Sequence, residues 1–215
     1  HQLVPPAPAP KYVPAHWNYD QVRPYLMESG ALITAKEAIR RVLILENPAL
    51  KGTACATPTL YAGLQLILPG EIAPSHRHTQ SALRFIVEGE GAYTIVDGHK
   101  LTLGANDFVL TPNGTWHEHG VSSDGTPCIW QDGLDIPLVN CLEANFYAVH
   151  PNMQQAVGHP VDDMSHACGA PGLRPAGAEW SKGYSPLLKY EWGPTYEALQ
   201  RYATASEGSP YDGLL

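Results

Sequence analysis

Residues 76–119 read HRHTQSALRFIVEGEGAYTIVDGHKLTLGANDFVLTPNGTWHEH. The stretch opens on His76-Arg77-His78 and closes on Trp116-His117-Glu118-His119. Between the two pairs lie short apolar runs broken by Gly, Asp and Asn. Side chains alternate across a strand, so histidines at i and i+2 share one face. Asp97-Gly98, between Ala92–Val96 and Lys100–Leu103, is a two-residue hairpin signal. Gly89-Glu90-Gly91 and Gly104-Ala105-Asn106-Asp107 add turns. This pattern predicts a small closed β structure whose interior can collect both histidine pairs.

The same alternation extends both ways. Upstream, Tyr61, Gly63 and Gln65 share one strand face, and Leu60, Ala62, Leu64 and Leu66 the other. Pro69-Gly70-Glu71 turns the chain before strands at Ile72–His78 and Ser81–Glu88. Downstream, Phe108–Leu110 leads to the His117 strand. Ser123-Asp124-Gly125 then separates it from runs at Cys128–Gln131 and Ile136–Val139, both read as strands. Roughly eight or nine short strands with tight turns give an all-β dominated fold, a jelly-roll barrel or sandwich.

The flanks read differently. Residues 1–15 are proline-rich and predict an extended arm. A short helix is expected over Tyr19–Ser29, capped by Asn18 or Asp20 and stopped by Gly30. Thr34 with Glu37 three residues on has capping-box spacing, and the helix it opens is expected to carry Arg40 and Arg41. Val42–Leu45 reads as a strand. From Val149 to Glu179 the chain predicts a long surface connection, followed by an extended Tyr184–Tyr190 and a helix over Thr195–Ala203. The expected organisation is an N-terminal arm with short helices over 1–50 and a metal-bearing barrel over 51–148. A linker, a short helix and the start of something further fill 149–215.

A net charge of −8 and no Lys/Arg-rich run argue against nucleic-acid binding. No apolar run approaches the roughly eighteen residues of a membrane span. Cys55, Cys128, Cys141 and Cys168 are widely spaced without a CxxC pair, which points to thiols in a reducing cytoplasm.

Imidazole suits Fe, Ni, Cu and Zn, and three facial ligands leave positions open for substrate. A fourth histidine can bond substrate or move a proton near neutral pH. Arg84 interrupts the apolar run Ala82–Val87 on the same predicted face as His76 and His78. An inward Arg needs an anion: a substrate carboxylate, or an internal partner such as Glu88 or Asp107. Gln65 faces the same choice between a substrate bond and a satisfied core amide. His16, His99, His150, His159 and His166 fall in predicted turns or linkers and are expected to be solvated.

The segments Pro74–Phe85 and Thr115–Gly120, with Trp130 and Asp132-Gly133-Leu134-Asp135-Ile136-Pro137, resemble the first cupin domain of the gentisate 1,2-dioxygenases. Salicylate and 1-hydroxy-2-naphthoate dioxygenases are that family's near relatives. The resemblance runs from about Val4 to Leu215 and is densest over Asn47–Asn140. It implies a cupin double-stranded β-helix holding one Fe(II) per site, with O2 as co-substrate and a small aromatic acid as substrate. His76, His78 and His117 match the metal ligands. Arg84, Gln65 and His119 match positions around the substrate, Asp132 is implied as a supporting partner, and Arg40 as a residue reaching in from the N-terminal region. Many cupins carry a metal-binding Glu four or five residues after the HxH pair; Ala82 and Leu83 stand there, as the gentisate group implies. The resemblance further implies a homo-oligomer, a tetramer in the family, and a second cupin domain beginning where this chain ends. Three neutral imidazoles leave a bound ion's full +2 charge uncompensated, which favours a substrate that brings its own negative charge.

Overall fold

A computed structural model describes residues 4–168 and 182–205 of the chain. Expectations for 169–179 and 208–215 lie outside the described residues. The elements in order are α1 (Tyr19–Leu32), α2 (Ala35–Ala38), β1 (Arg41–Ile44), β2 (Tyr61–Ile67), β3 (Ile72–His78), β4 (Ala82–Glu88), β5 (Ala92–Val96) and β6 (His99–Leu103). They continue with β7 (Phe108–Thr111), β8 (His117–Val121), β9 (Cys128–Leu134), α3 (Ile136–Cys141), β10 (Tyr147–Val149), α4 (Asp163–Cys168), β11 (Lys189–Tyr190) and α5 (Trp192–Ala205). One antiparallel sheet runs β1-β2-β9-β4-β7-β11 and the other β10-β3-β8-β5-β6. This is the expected jelly roll, in which neighbouring strands are mostly distant in sequence.

The two sheets close on a core of Ile67, Ala73, Ile86, Val96, Leu101, Leu103, Val109, Val121 and Trp130, all buried. A second cluster lies outside. Leu64 and Leu66 on β2, with Ile129 on β9, pack against Leu26 of α1. The alternation in β2 therefore sorts two covered faces. Gln65 looks into the barrel, and the leucines look at a helix.

The Asp97-Gly98 hairpin forms with both residues at positive φ, +47° and +84°, as a type I′ turn requires. Asn18 caps α1, its Oδ1 accepting from the Gln21 N–H at 3.2 Å. That helix does not stop at Gly30 but continues to Leu32. A Cβ on Gly30 would sit 3.2 Å from a Leu66 methyl and 3.3 Å from one of Leu68. Gly30 thus permits close approach to β2 and is no terminator. The Thr34–Glu37 capping box is present, but its helix is a single turn, and Arg40 and Arg41 fall after it.

Ile136–Val139 is helical, contrary to expectation. Pro137 sits in the first turn, where its fixed φ is favourable and its missing N–H costs nothing, whereas a strand ladder would lose a donor there. The long connection after Val149 is not featureless, since α4 lies within it. His99 is also unlike its reading: it begins β6 and is 5% exposed.

Candidate metal centre

β3 and β8 are paired neighbours, with His76 opposite His117. The pairing slips by one residue between Ala73 and His76. Residues three apart on a regular strand face opposite ways. The extra residue at Pro74-Ser75 lets Ala73 join the core and still turns His76 into the barrel. His78 follows at i+2. One ligating atom from each of His76, His78 and His117 then lies within 4.8 Å of the others.

Backbone carbonyls fix the orientation of all three rings. His76 Nδ1 lies 3.0 Å from Pro74 O, His78 Nδ1 2.9 Å from Gln80 O, and His117 Nδ1 3.0 Å from Thr115 O. Each carbonyl can only accept, so each Nδ1 carries the proton and each Nε2 keeps its lone pair. The Nε2 of His117 is buried with no hydrogen-bond partner among the described residues. Burial, with nearby guanidinium charge, lowers the pKa of all three; His76 falls to about 3, with Arg40 the second cause. Three neutral imidazoles that bring one donor atom each within 4.8 Å of the others suit a divalent transition metal, with Arg40 Nη2 lying 2.9 Å from His76 Nε2. No carboxylate belongs to the group.

His76 and His78 border a cavity of about 420 Å³. Arg40, Gln65, Arg84 and Asp132 line it together with Tyr61 and Tyr147. Arg84 is paired with Asp132, Nε to Oδ1 at 3.0 Å, and donates to Thr111 Oγ1 at 2.5 Å. The internal partner is therefore neither Glu88, which binds Arg23, nor Asp107. Arg84 and Asp132 face each other across the β4–β9 ladder, a pairing that joins residues 48 apart. Burial lowers the Arg84 pKa from its ordinary value, and Asp132 offsets part of that. Arg40 reaches in after α2, its Nη2 2.9 Å from the His76 ring nitrogens. His119 is wholly buried beside His117, ring centroids 5.7 Å apart, and is not among the residues lining the cavity. Burial and the guanidiniums also hold its pKa well below the usual histidine range.

Several lining residues escaped the sequence reading. Tyr147 pairs with His78 through β10, and its ring lies 5.7 Å from that of His76. The aromatic Phe146-Tyr147 ahead of Ala148-Val149 was the available signal for a covering strand. Tyr61 was placed on the correct face without a role; burial and Asp132 push its pKa up to about 12, so it remains a phenol donor.

A two-sheet jelly roll with imidazoles converging inside it defines a cupin, and the cupin domain model matches residues 63–137. The chain is 45% identical over its full length to gentisate 1,2 dioxygenase 1 of Aquipseudomonas alcaligenes, covering 61% of that protein. It is 44% identical over 92% of its length to the gentisate 1,2-dioxygenase of a Ralstonia species, covering 55% of it. The crystal structure of salicylate 1,2-dioxygenase from Pseudoaminobacter salicylatoxidans with gentisate superposes at a TM-score of 0.88 and 34% identity, over 98% of this chain and 59% of that one. The fold is that of a cupin, and along its length the chain is similar to the gentisate 1,2-dioxygenases. It spans about three-fifths of the length of these relatives.

Proposed function

We propose that the protein is a ring-cleaving dioxygenase that opens gentisate with O2 between the carboxyl-bearing carbon and the adjacent hydroxyl-bearing carbon, giving maleylpyruvate. Both oxygen atoms enter the product, so no external reductant is required. The observation that carries this reading is a group of three neutral imidazoles with no carboxylate among them, two of which line one cavity with Arg40 and Arg84. When bound by His76, His78 and His117, ferrous iron supplies the electron transfer that couples ring opening to reduction of O2.

The chain's own residues bind and orient. Asp132 and Thr111 hold Arg84 in one pose, which leaves its guanidinium edge to meet a substrate carboxylate. Arg40 adds a second cation, so the wall carries two positive groups against the single negative charge of Asp132. The buried Gln65 amide and the protonated Tyr61 hydroxyl offer neutral hydrogen bonds to ring oxygens. His119 provides an imidazole with no hydrogen-bond partner among the described residues, beside His117. Tyr147 and Phe146 add aromatic surface to the lining, against which a substrate ring can pack. The four cysteines are free, which supports a reducing cytoplasm as the compartment.

Anaerobic loading of the protein with Fe(II), followed by addition of oxygen and gentisate, tests the reading. Stoichiometric oxygen uptake with maleylpyruvate absorbance is expected. Binding of gentisate without oxygen uptake would make the barrel an aromatic-acid binder instead. The kcat/KM for gentisate is expected to exceed those for salicylate and 1-hydroxy-2-naphthoate, following the closer identity to the gentisate enzymes.

A further inference from the structure

His99, His159 and Asp163 form a second group of metal-ligating side chains, with one donor atom of each within 4.8 Å of the others. His99 Nδ1 lies 3.1 Å from Asp163 Oδ1, and His159 Nδ1 3.6 Å from Asp163 Oδ2. The two imidazoles stack with centroids 3.8 Å apart and an interplanar angle of 12°. Their backbones are pinned on both sides. Gly158 N–H donates to Gly98 O at 3.0 Å, and Asp162 N–H to Lys100 O at 2.9 Å. Asp162 also accepts from Thr102 N–H and Oγ1, at 3.0 and 2.6 Å, and binds Lys189 Nζ at 2.8 Å. The segment carrying His159 and Asp163 is therefore docked onto β6 independently of any ion. Preorganisation of this kind lowers the cost of assembling a ligand set. The His159 side chain is 48% exposed, so a hydrated cation can reach the group from solvent.

We propose that His99, His159 and Asp163 bind a divalent transition metal of the zinc class at the rim of the barrel, at a site separate from the interior histidines. Two imidazole nitrogens and one carboxylate oxygen are a sufficient protein donor set for such an ion, with water completing the shell. Turning the two rings out of their stack would let a cation take the place of the His99–Asp163 hydrogen bond, with the Asp163 carboxylate as its third ligand. The site joins the edge strand β6 to α4, so the ion would clasp the α4 segment to the five-stranded sheet.

The test is a Zn2+ titration of the chelator-stripped protein, read by calorimetric stoichiometry, with Co2+ absorption as a spectroscopic probe. Two equivalents are expected for the parent chain and one for His159→Ala. Asp163→Asn should also bind one; it keeps side-chain shape and controls for misfolding, which circular dichroism checks in both variants. The lost equivalent should carry its own Co2+ signature. A parent chain that takes up one equivalent, or variants that still take up two, would overturn the proposal.

Discussion

Two histidine clusters share one row of the five-stranded sheet and have opposite chemistry. Across that sheet His76 pairs with His117, His117 with Val96, and Val96 with His99. His99 is thus two strands, about 10 Å, from His117. Inside the barrel, backbone carbonyls take the Nδ1 protons and no acid belongs to the histidine group. At the rim, the carboxylate of Asp163 faces both ring nitrogens. The difference teaches that the acceptor chosen for a histidine's second nitrogen sets the net charge of a site. A neutral carbonyl leaves a bound cation's charge for an anionic substrate, whereas a carboxylate spends part of it.

The strongest way to break this comparison is to remove an interior ligand. His117→Ala should lower iron affinity by more than about 100-fold, the upper range for losing a residue that merely supports a ligand. Gentisate turnover should fall to background. Metal analysis after Fe(II) loading checks this, and unchanged iron content would remove His117 from the ligand set. By contrast, Arg84→Ala should leave iron content intact and raise the gentisate KM.

Removing a carboxylate from each region sharpens the contrast. Asp132→Ala leaves Arg84 buried with its charge unmatched, which costs about 3–5 kcal/mol. For a chain of this size that corresponds to a Tm lower by about 6–20 °C. Asp163 is partly exposed, so Asp163→Ala in metal-free protein should change stability by less than about 1 kcal/mol. Thermal unfolding of both variants checks the pair; similar losses would mean that the two acids sit in equivalent environments.

The strands and the i, i+2 histidines were legible in sequence because alternation and turn residues are local signals. The hairpin at Asp97-Gly98 needs only its two central residues, and the face assignment of Gln65 only its neighbours. What remained hidden depends on distant chain. Arg84 meets Asp132 only because β4 lies next to β9. His99 is buried only because residues 158–163 fold over β6. The slip at Pro74-Ser75, which aims His76, is a property of the β3–β8 pair and not of either strand. Ile136–Val139 misled because its apolar run suits a strand, and Pro137 decides the matter only through the missing donor.

Acid should separate the folded and unfolded chains through the interior ring nitrogens. In metal-free protein the His76 pKa is lowered from 6.5 to about 3 by burial, and His78 and His117 shift the same way. Between those values the unfolded chain binds protons that the folded chain refuses. Their contribution to stability is therefore complete above about pH 6.5 and is lost as pH falls toward 3. Each such proton adds a slope of about 1.4 kcal/mol per pH unit. Urea unfolding of metal-free parent and His76→Ala proteins between pH 7.5 and 4 checks this. The variant should lack one proton's worth of slope, and parallel curves would mean that His76 titrates alike in both states.

The most local expected effect belongs to the rim. Thr102 Oγ1 donates to Asp162, which also receives Thr102 N–H and Lys189. Thr102→Val keeps the shape and the backbone donor and removes the hydroxyl's hydrogen bond to a charged acceptor, worth about 1.5 kcal/mol, together with its longer 3.4 Å bond from Lys189 Nζ. Two partners still hold the carboxylate, so the segment stays docked in the native state. The loss should fall on the docking of residues 156–168 against β6. Hydrogen exchange there should quicken by about tenfold, since 1.4 kcal/mol is a factor of ten in an opening equilibrium. Exchange at His76–His78 should stay as it was, because β8 and β5 lie between that strand and β6. If protection fell on β3 as well, the two clusters would open as one unit, and the rim could not be treated as a separate site on the same sheet.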